Sequence, residues 1–457
     1  MNPIKKSYIE TFGCQMNERD SEIMGQMLNY VNYSPTEDIN QADVIVINTC
    51  SIREKAEQKV YSLLGRLKKL KEKKPSLIIS VAGCVAQQEG GKLQARMPQV
   101  DIVLGPQQIY RLPELIGKTV EKGKPQMAVD LSPAFQIPRY EEPPSPARQV
   151  HQSEQQDTAP PFRKFVTIMQ GCNNFCTYCV VPYTRGRETS RPPEDIIAEI
   201  INLTENGIKE ITLLGQNVNS YGKGSGGSLK YITFSELLRN VARIKGVERL
   251  RFSTSHPKDL SPDLIECFAE IKNLCPNFHL PVQSGSNRIL QRMSRKYTIE
   301  DYLERIAALR KVRPGISLTT DIIVGFPGET DEDFQATMQL LETVRYHGAY
   351  SFKYSDRPQA KAVSFDEKVD ENIKAERLSR LQARQEEINL ECNREYIGTS
   401  QEVMVEGPSK NVAGQWSGRT KTNHIVNFPG SNNLQSGQLI NIMITEGLPH
   451  SLRGDII

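Results

Sequence analysis

The run RKFVTIMQGCNNFCTYC, residues 163–179, places Cys172, Cys176 and Cys179 directly behind an apolar, strand-like segment. Only 9 of the 457 residues are cysteine, so three within eight positions mark a motif rather than chance. The spacing is C-x3-C-x2-C, and an aromatic residue, Tyr178, precedes the last thiol. Thiolates are soft ligands that select zinc or iron–sulfur clusters. A structural zinc takes four protein ligands, and the nearest later candidates, His256 and Cys267, lie far downstream. Three thiolates without a local fourth describe a cubane cluster with one iron open to a substrate or cofactor. Zinc and ordinary core thiols are the alternatives.

Outward from this run, six strand-like segments alternate with helix-like ones: RKFVTIMQ, KEITLLGQN, ERLRFST, NFHLPVQS, ISLTTDIIVGF and AYSFKYS. The stretches between them carry helical periodicity. Six βα units predict an incomplete parallel barrel whose active rim lies at the carboxyl ends of the strands, where the cysteine run falls. Upstream, one pattern repeats three times. SYIETFGC ends at Cys14, DVIVINTC at Cys50 and LIISVAGC at Cys84, each followed by helix-compatible sequence. Strands alternating with helices imply a parallel sheet, with ligands beyond its carboxyl edge. The gaps between these cysteines are 36 and 34 residues, about one βα unit each, so neighbouring strand ends can bring the thiols together. A second cluster follows from that placement. Three cysteines that never meet are the bland alternative.

The fold expected is an α/β multidomain chain: an N-terminal parallel α/β domain (1–125), a Pro-rich linker (126–160) holding His151, a partial (β/α)6 barrel (161–390) and a small C-terminal β-barrel (391–457). The insertion SYGKGSGGSLKY reads as a flexible surface loop, and KAERLSRLQARQEEINLECNREYIG as a charged, solvated connecting helix. The last segment switches to short β-like runs with Gly, Pro and Asn turns. Net charge is only +3, so any RNA-binding surface must be a local patch. Trp416, Arg419, Lys421 and His424 offer stacking and phosphate contacts there. Arg185, Arg187, Glu188 and Arg191 suit anion recognition or an exposed ion-pair network. No apolar run approaches the ~20 residues of a membrane helix, the N-terminus lacks signal-peptide features, and the cysteine usage suits a reducing cytoplasm rather than disulfides.

The cysteine spacing with its aromatic resembles the radical S-adenosylmethionine (SAM) superfamily, and the segment GRTKTNHIVNF resembles the TRAM domain, a small RNA-binding β-barrel. In order and over nearly the whole length, the chain resembles the methylthiotransferases. TFGCQMNERDSE, NTCSIREKA, GCVAQ, QGCNNFCTYCVVPYTRGRE, LLGQNVNSY, STSHP and LPVQSGS are closest to the MiaB-type branch. That resemblance implies two [4Fe–4S] clusters, one on Cys172, Cys176 and Cys179 and one on Cys14, Cys50 and Cys84. It also implies SAM, cleaved at the first cluster to a 5′-deoxyadenosyl radical, and sulfur carried by the second. Gln216 and Asn217 would hold the methionine part of SAM, Gln283 and Ser284 would reach its ribose, and Asp321 and Gly325 would lie on the adenine-contacting strand. The implied substrate is tRNA carrying N6-isopentenyladenosine beside the anticodon, methylthiolated at carbon 2. Implied partners are a one-electron reductant such as flavodoxin and a sulfur or iron–sulfur donor, with no membrane and a monomeric state. Three alternatives remain: threonylcarbamoyl-adenosine in tRNA or a ribosomal-protein aspartate as substrate, or a non-enzymatic, metal-stabilised RNA-binding protein.

Overall fold

The structure is a computed structural model. It describes residues 4–50, 54–139, 161–223, 232–409, 412, 414–431 and 433–457. Residues 51–53 of the SIRE segment after Cys50, most of the expected linker with His151, and residues 224–231 of the glycine-rich insertion lie outside the described residues. The chain forms two compact units.

The first unit holds a six-stranded parallel sheet of β1 (Lys5–Phe12), β2 (Tyr33–Pro35), β3 (Val44–Thr49), β4 (Ile78–Gly83), β5 (Ile102–Leu104) and β6 (Gln126–Ala128), in the order β2-β1-β3-β4-β5-β6. Every residue of β3 and β4 is buried, as expected when helices cover both faces of a parallel sheet. Side chains alternate between the faces. Val44 and Val46 pack with Met24 and Leu28 of the helix Gln15–Tyr30 and with Leu115 of the helix Leu112–Lys122. Ile45 and Ile47 pack with Val60, Leu64 and Leu67 of the helix Glu54–Lys73. That helix presents an i, i+4, i+7 stripe, the spacing that buries one face. Two strands escape the hydrophobic pattern. β2 and β6 have three residues each, and β6 lies within the stretch expected to be linker.

In the second unit the six expected strands of the partial barrel all form. Arg163–Thr167, Glu210–Leu214 and Arg249–Ser253 make one parallel sheet, and Asn277–His279, Ser317–Val324 and Gly348–Lys353 another. They join where Leu250 donates its N–H to Asn273 and accepts from that of Cys275, both at 2.8–2.9 Å. Phe252 packs edge-on against Phe234 and Phe278 behind this join. The helix Glu371–Arg394 is charge-laced, yet Lys374, Arg377, Leu381, Gln385 and Ile388 are buried along one face. It is therefore packed rather than simply solvated. Beyond it, five strands between Ser400 and Ile456 close into a barrel. Among the described residues no helix is long and apolar enough to cross a membrane.

Candidate functional site

In the first unit the strand register decides what the thiols share. Phe12 pairs with Thr49, and Thr49 with Gly83, so β1, β3 and β4 end level with one another. Cys14, Cys50 and Cys84 follow those ends on one rim. Cys50 donates its N–H to the Phe12 carbonyl at 2.9 Å. Gly83 has φ +94 and lies against the Thr49 carbonyl so closely that a Cβ there would collide with it. The backbone is thus held tight where the third cysteine leaves the sheet.

Cys14 caps the helix Gln15–Tyr30, with its N–H and its Sγ each 3.3 Å from Asn17 Oδ1. Asn17 Nδ2 donates to Asn48 Oδ1 at 3.1 Å, and Asn48 Nδ2 returns a bond to the Asn17 carbonyl at 2.8 Å. Asn17 and Asn48 are fully buried, so this amide pair clamps the strand end that carries Cys50 to the helix that carries Cys14. Arg185, also buried, forms an ion pair with Asp20 at 2.8 Å. Its second nitrogen, Nη1, is buried without a hydrogen-bond partner. A hydrogen bond with Cys50 and the Arg185 charge pull the Cys14 thiol down to about 6 against the opposing effect of burial. Burial pushes the Cys84 thiol up, with Arg185 opposing it.

Cys172 belongs to the same unit. Its N–H donates to the Gly186 carbonyl at 3.2 Å, and the Asn173 N–H donates to Glu188 Oε1, also at 3.2 Å. Gly171, at φ +81, lies against the Arg187 carbonyl where a Cβ would collide. The arginine-rich loop thus straps Cys172 and Asn173, and in Arg185 it supplies a cation to the thiol rim. Arg185 meets a carboxylate, one of the anions expected of this loop, in a buried pair rather than an exposed network.

In the second unit Cys176 is buried. Arg295 Nη1 approaches its sulfur at 3.4 Å and Tyr178 Oη at 3.3 Å. His256 Nε2 stands 4.0 Å from the same sulfur. The Cys179 N–H donates to the Cys176 carbonyl at 2.9 Å and closes a turn. Cys267 instead directs its thiol at the Ser235 carbonyl, 3.8 Å away. Arg295 was invisible to sequence reading because only the fold places it beside Cys176, 119 residues away.

The residues expected to touch SAM behave unequally. Asn217 is buried and donates to Asp259 Oδ2 at 2.8 Å, while its Oδ1 has no partner. Nearby Asn219, not anticipated, leaves both amide atoms unpartnered, as does the Ser255 hydroxyl. Orphaned buried polar atoms suit a zwitterionic ligand. Gln216 is half-buried beside them. Gln283 holds φ +74 and extends the strand pairing to Asp321 and Ile323. Asp321 Oδ1 is 3.5 Å from His279 Nε2. Two of these residues are already engaged by neighbouring side chains. Ser284 is fully buried, and its hydroxyl accepts from the Ser286 N–H at 3.2 Å and meets Thr337 at 3.5 Å, which turns it into the core. Gly325 has φ +69, but the space a Cβ would need is occupied by the Lys374 side chain.

The C-terminal quartet lies where the small barrel meets the partial barrel within the second unit. Arg249 and Arg251, on the third strand of the partial barrel, donate to the carbonyls of Arg419, Thr420 and Lys421 at 2.6–3.1 Å. Arg419 pairs with Glu406 at 2.9 Å and Lys421 with Glu402 at 3.4 Å. His424 packs against Tyr396 and His347, and burial holds its pKa down at about 3. Trp416 is half-buried against the small barrel's core. The segment is docked within its own unit, with His424 half-buried.

Among the described residues no three His, Cys, Asp or Glu side chains form a single-metal site. Thiolates of a cubane bind different irons and stand farther apart than the ligands of one ion. The donor set of the first unit suits such a cluster: three thiols, one of them readily ionised, beside a buried cation.

Three family models match the chain: Uncharacterized protein family UPF0004 over residues 6–105, the Radical SAM superfamily over 166–341 and the TRAM domain over 394–457. A protein of Desulfotalea psychrophila called tRNA-2-methylthio-N(6)-dimethylallyladenosine synthase is 55% identical over 452 residues, 98% of each chain. A protein of Geotalea uraniireducens with the same name is 49% identical over 461 residues, 99% of each. Among solved structures, the radical S-adenosylmethionine methyltransferase TsrM of Kitasatospora setae shares the fold, with TM-score 0.55 at 13% identity over 89% of this chain and 79% of that one.

Proposed function

The chain belongs to the tRNA-2-methylthio-N(6)-dimethylallyladenosine synthases of the radical SAM superfamily, and on that premise we propose how its residues divide the work. The enzyme inserts a methylthio group at carbon 2 of N6-isopentenyladenosine in tRNA, using SAM and two [4Fe–4S] clusters. The carbon 2 hydrogen is unactivated, beyond acid–base catalysis, so cofactors must supply the reactivity. Bound here, the clusters and SAM provide one-electron chemistry and the sulfur.

Cys172, Cys176 and Cys179 hold the cluster that engages SAM. Cys14, Cys50 and Cys84 hold the sulfur-carrying cluster, with Asn17 and Asn48 fixing the spacing of the first two thiols. Arg185 offsets the negative charge of that thiolate set. Asn217, Asn219 and Gln216 orient the methionine part of SAM through their amides, Gln283 and Asp321 line the partial barrel's rim, and residues 394–457 take part in holding tRNA. A target base must be unstacked to expose carbon 2. A one-electron reductant such as flavodoxin, a sulfur or iron–sulfur donor, a monomeric state and a cytoplasmic location complete the reading.

The observation that carries this assignment is the level ending of β1, β3 and β4 with a thiol at each end and a buried arginine beside them. Mass spectrometry of tRNA nucleosides from a strain lacking the protein tests it. Loss of the methylthio group with accumulation of isopentenyladenosine is expected. Unchanged tRNA nucleosides would refute the substrate and favour the ribosomal-protein alternative.

A further inference from the structure

Arg295 is 4% exposed, and its hydrogen bonds can be followed atom by atom. Nε donates to Tyr297 Oη at 3.2 Å, and Nη2 donates to the Pro281 carbonyl at 2.8 Å. Nη1 is shared between Tyr178 Oη at 3.3 Å and Cys176 Sγ at 3.4 Å. Tyr297 in turn donates to the Val282 carbonyl at 2.7 Å, which fixes its ring and oxygen. The guanidinium is therefore locked in one orientation with one N–H on the sulfur.

The charge of Arg295 has no carboxylate partner among the described residues. Four other buried arginines have one: Arg185 meets Asp20, Arg249 meets Glu402, Arg251 meets Glu210 and Arg377 meets Glu329. A buried cation without a counter-charge is strongly destabilising. The guanidinium contacts two tyrosine hydroxyls, the Pro281 carbonyl and the Cys176 sulfur, and of these a cluster-bound cysteine sulfur is the one that bears negative charge. His256 reinforces the same sulfur. Its Nδ1 accepts from the Lys258 N–H at 3.2 Å, so its proton sits on Nε2, the atom 4.0 Å from Cys176 Sγ.

We propose that Arg295 is a positioning residue for the SAM-engaging cluster, holding the Cys176 thiolate by an N–H···S bond and raising the cluster's reduction potential. An N–H aimed at a ligand sulfur and a nearby positive charge both favour the reduced, more negative cluster. The step most exposed to this setting is electron entry before SAM is cleaved. The inference rests on the assignment of Cys176 as a ligand.

The experiment uses full-length, anaerobically reconstituted protein in which Cys14, Cys50 and Cys84 are replaced by Ala, so that one cluster is observed alone. Its midpoint potential is read by redox titration with electron paramagnetic resonance. Arg295→Gln should move the potential to more negative values while the iron content is retained, and Arg295→Lys, which keeps charge but loses the fork, should fall between. An unchanged potential with full iron would overturn the proposal and leave Arg295 as packing. A second measurement needs no substitution at position 295. With guanidino-15N-arginine, the reduced cluster without SAM should show a 15N hyperfine coupling, and its absence overturns the proposal even if Arg295→Gln does not load iron. A protein that holds no cluster in this background would refute the ligand assignment itself, and the proposal with it.

Discussion

Opposing effects act on the Cys14 proton. A hydrogen bond with Cys50 and the Arg185 charge favour the thiolate, burial disfavours it, and the thiol settles at about 6 against an ordinary value near 8.5. Since the thiolate is the nucleophile, metal-free protein should react with iodoacetamide at Cys14 with a half-maximal rate near pH 6. The rate should be flat above that pH and fall below it. Cys84, pushed up by burial, should react far more slowly. Peptide mapping after timed alkylation between pH 5 and 9 reads both, and a Cys14 midpoint near 8.5 would contradict the electrostatics. At this scale the six cysteines were legible because soft ligands in motif spacing have few other uses. Asn17, Asn48 and Arg295 were not. Each acts through a partner distant in sequence, such as Asn48 for Asn17 or Cys176 for Arg295, and no local pattern records such a pairing.

Between elements, the hairpin formed by Gln415–Thr420 and Ile425–Pro429 shows what a sequence reading leaves out. Trp, Arg, Lys and His close together read as an RNA patch, but Arg249 and Arg251 take the hairpin's carbonyls and bring His424 against His347. Alternation along a strand reveals which residues share a face, not which neighbour covers it. The short strands β2 and β6 escaped because YSP and QMA lack the apolar run that marks the equally short Ile102–Leu104. Burial keeps His424 and His347 neutral, at about 3 and about 4. Their unfolded pKa lies near 6.5, so below that pH the unfolded chain binds protons that the folded one does not. Stability should therefore be full above pH 6.5 and fall on acidification toward pH 4, each histidine contributing up to about 1.4 kcal/mol per pH unit. Hydrogen exchange of the strand Ile425–Pro429 at pH 7, 6 and 5, corrected for intrinsic rates, measures this locally. His424→Gln should flatten the dependence, and equal protection at all three pH values would show that these rings are not buried neutral.

Taken whole, the chain uses one topological rule twice. Parallel strands send successive segments to the same edge, and both the six-stranded sheet and the partial barrel carry a cysteine set just past strand ends. On the proposed assignment, two sets of three thiolates, each short of the four that close a metal site, leave two open irons and so allow two distinct tasks. Replacing Cys172, Cys176 and Cys179 by Ala should remove about half the iron of reconstituted protein, because each set holds one four-iron cluster. The complementary variant, lacking Cys14, Cys50 and Cys84, should also keep about half. It should still release 5′-deoxyadenosine from SAM under reductant and yet form no methylthio product on tRNA. Iron and sulfide assays with nucleoside analysis of the same preparations separate the outcomes. Multiple-turnover methylthiolation by the second variant would mean that sulfur does not reach the base from the N-terminal thiols. Near-complete iron retention by either variant would mean that its three cysteines hold no cluster, and the level strand ends of the first unit would then need another explanation.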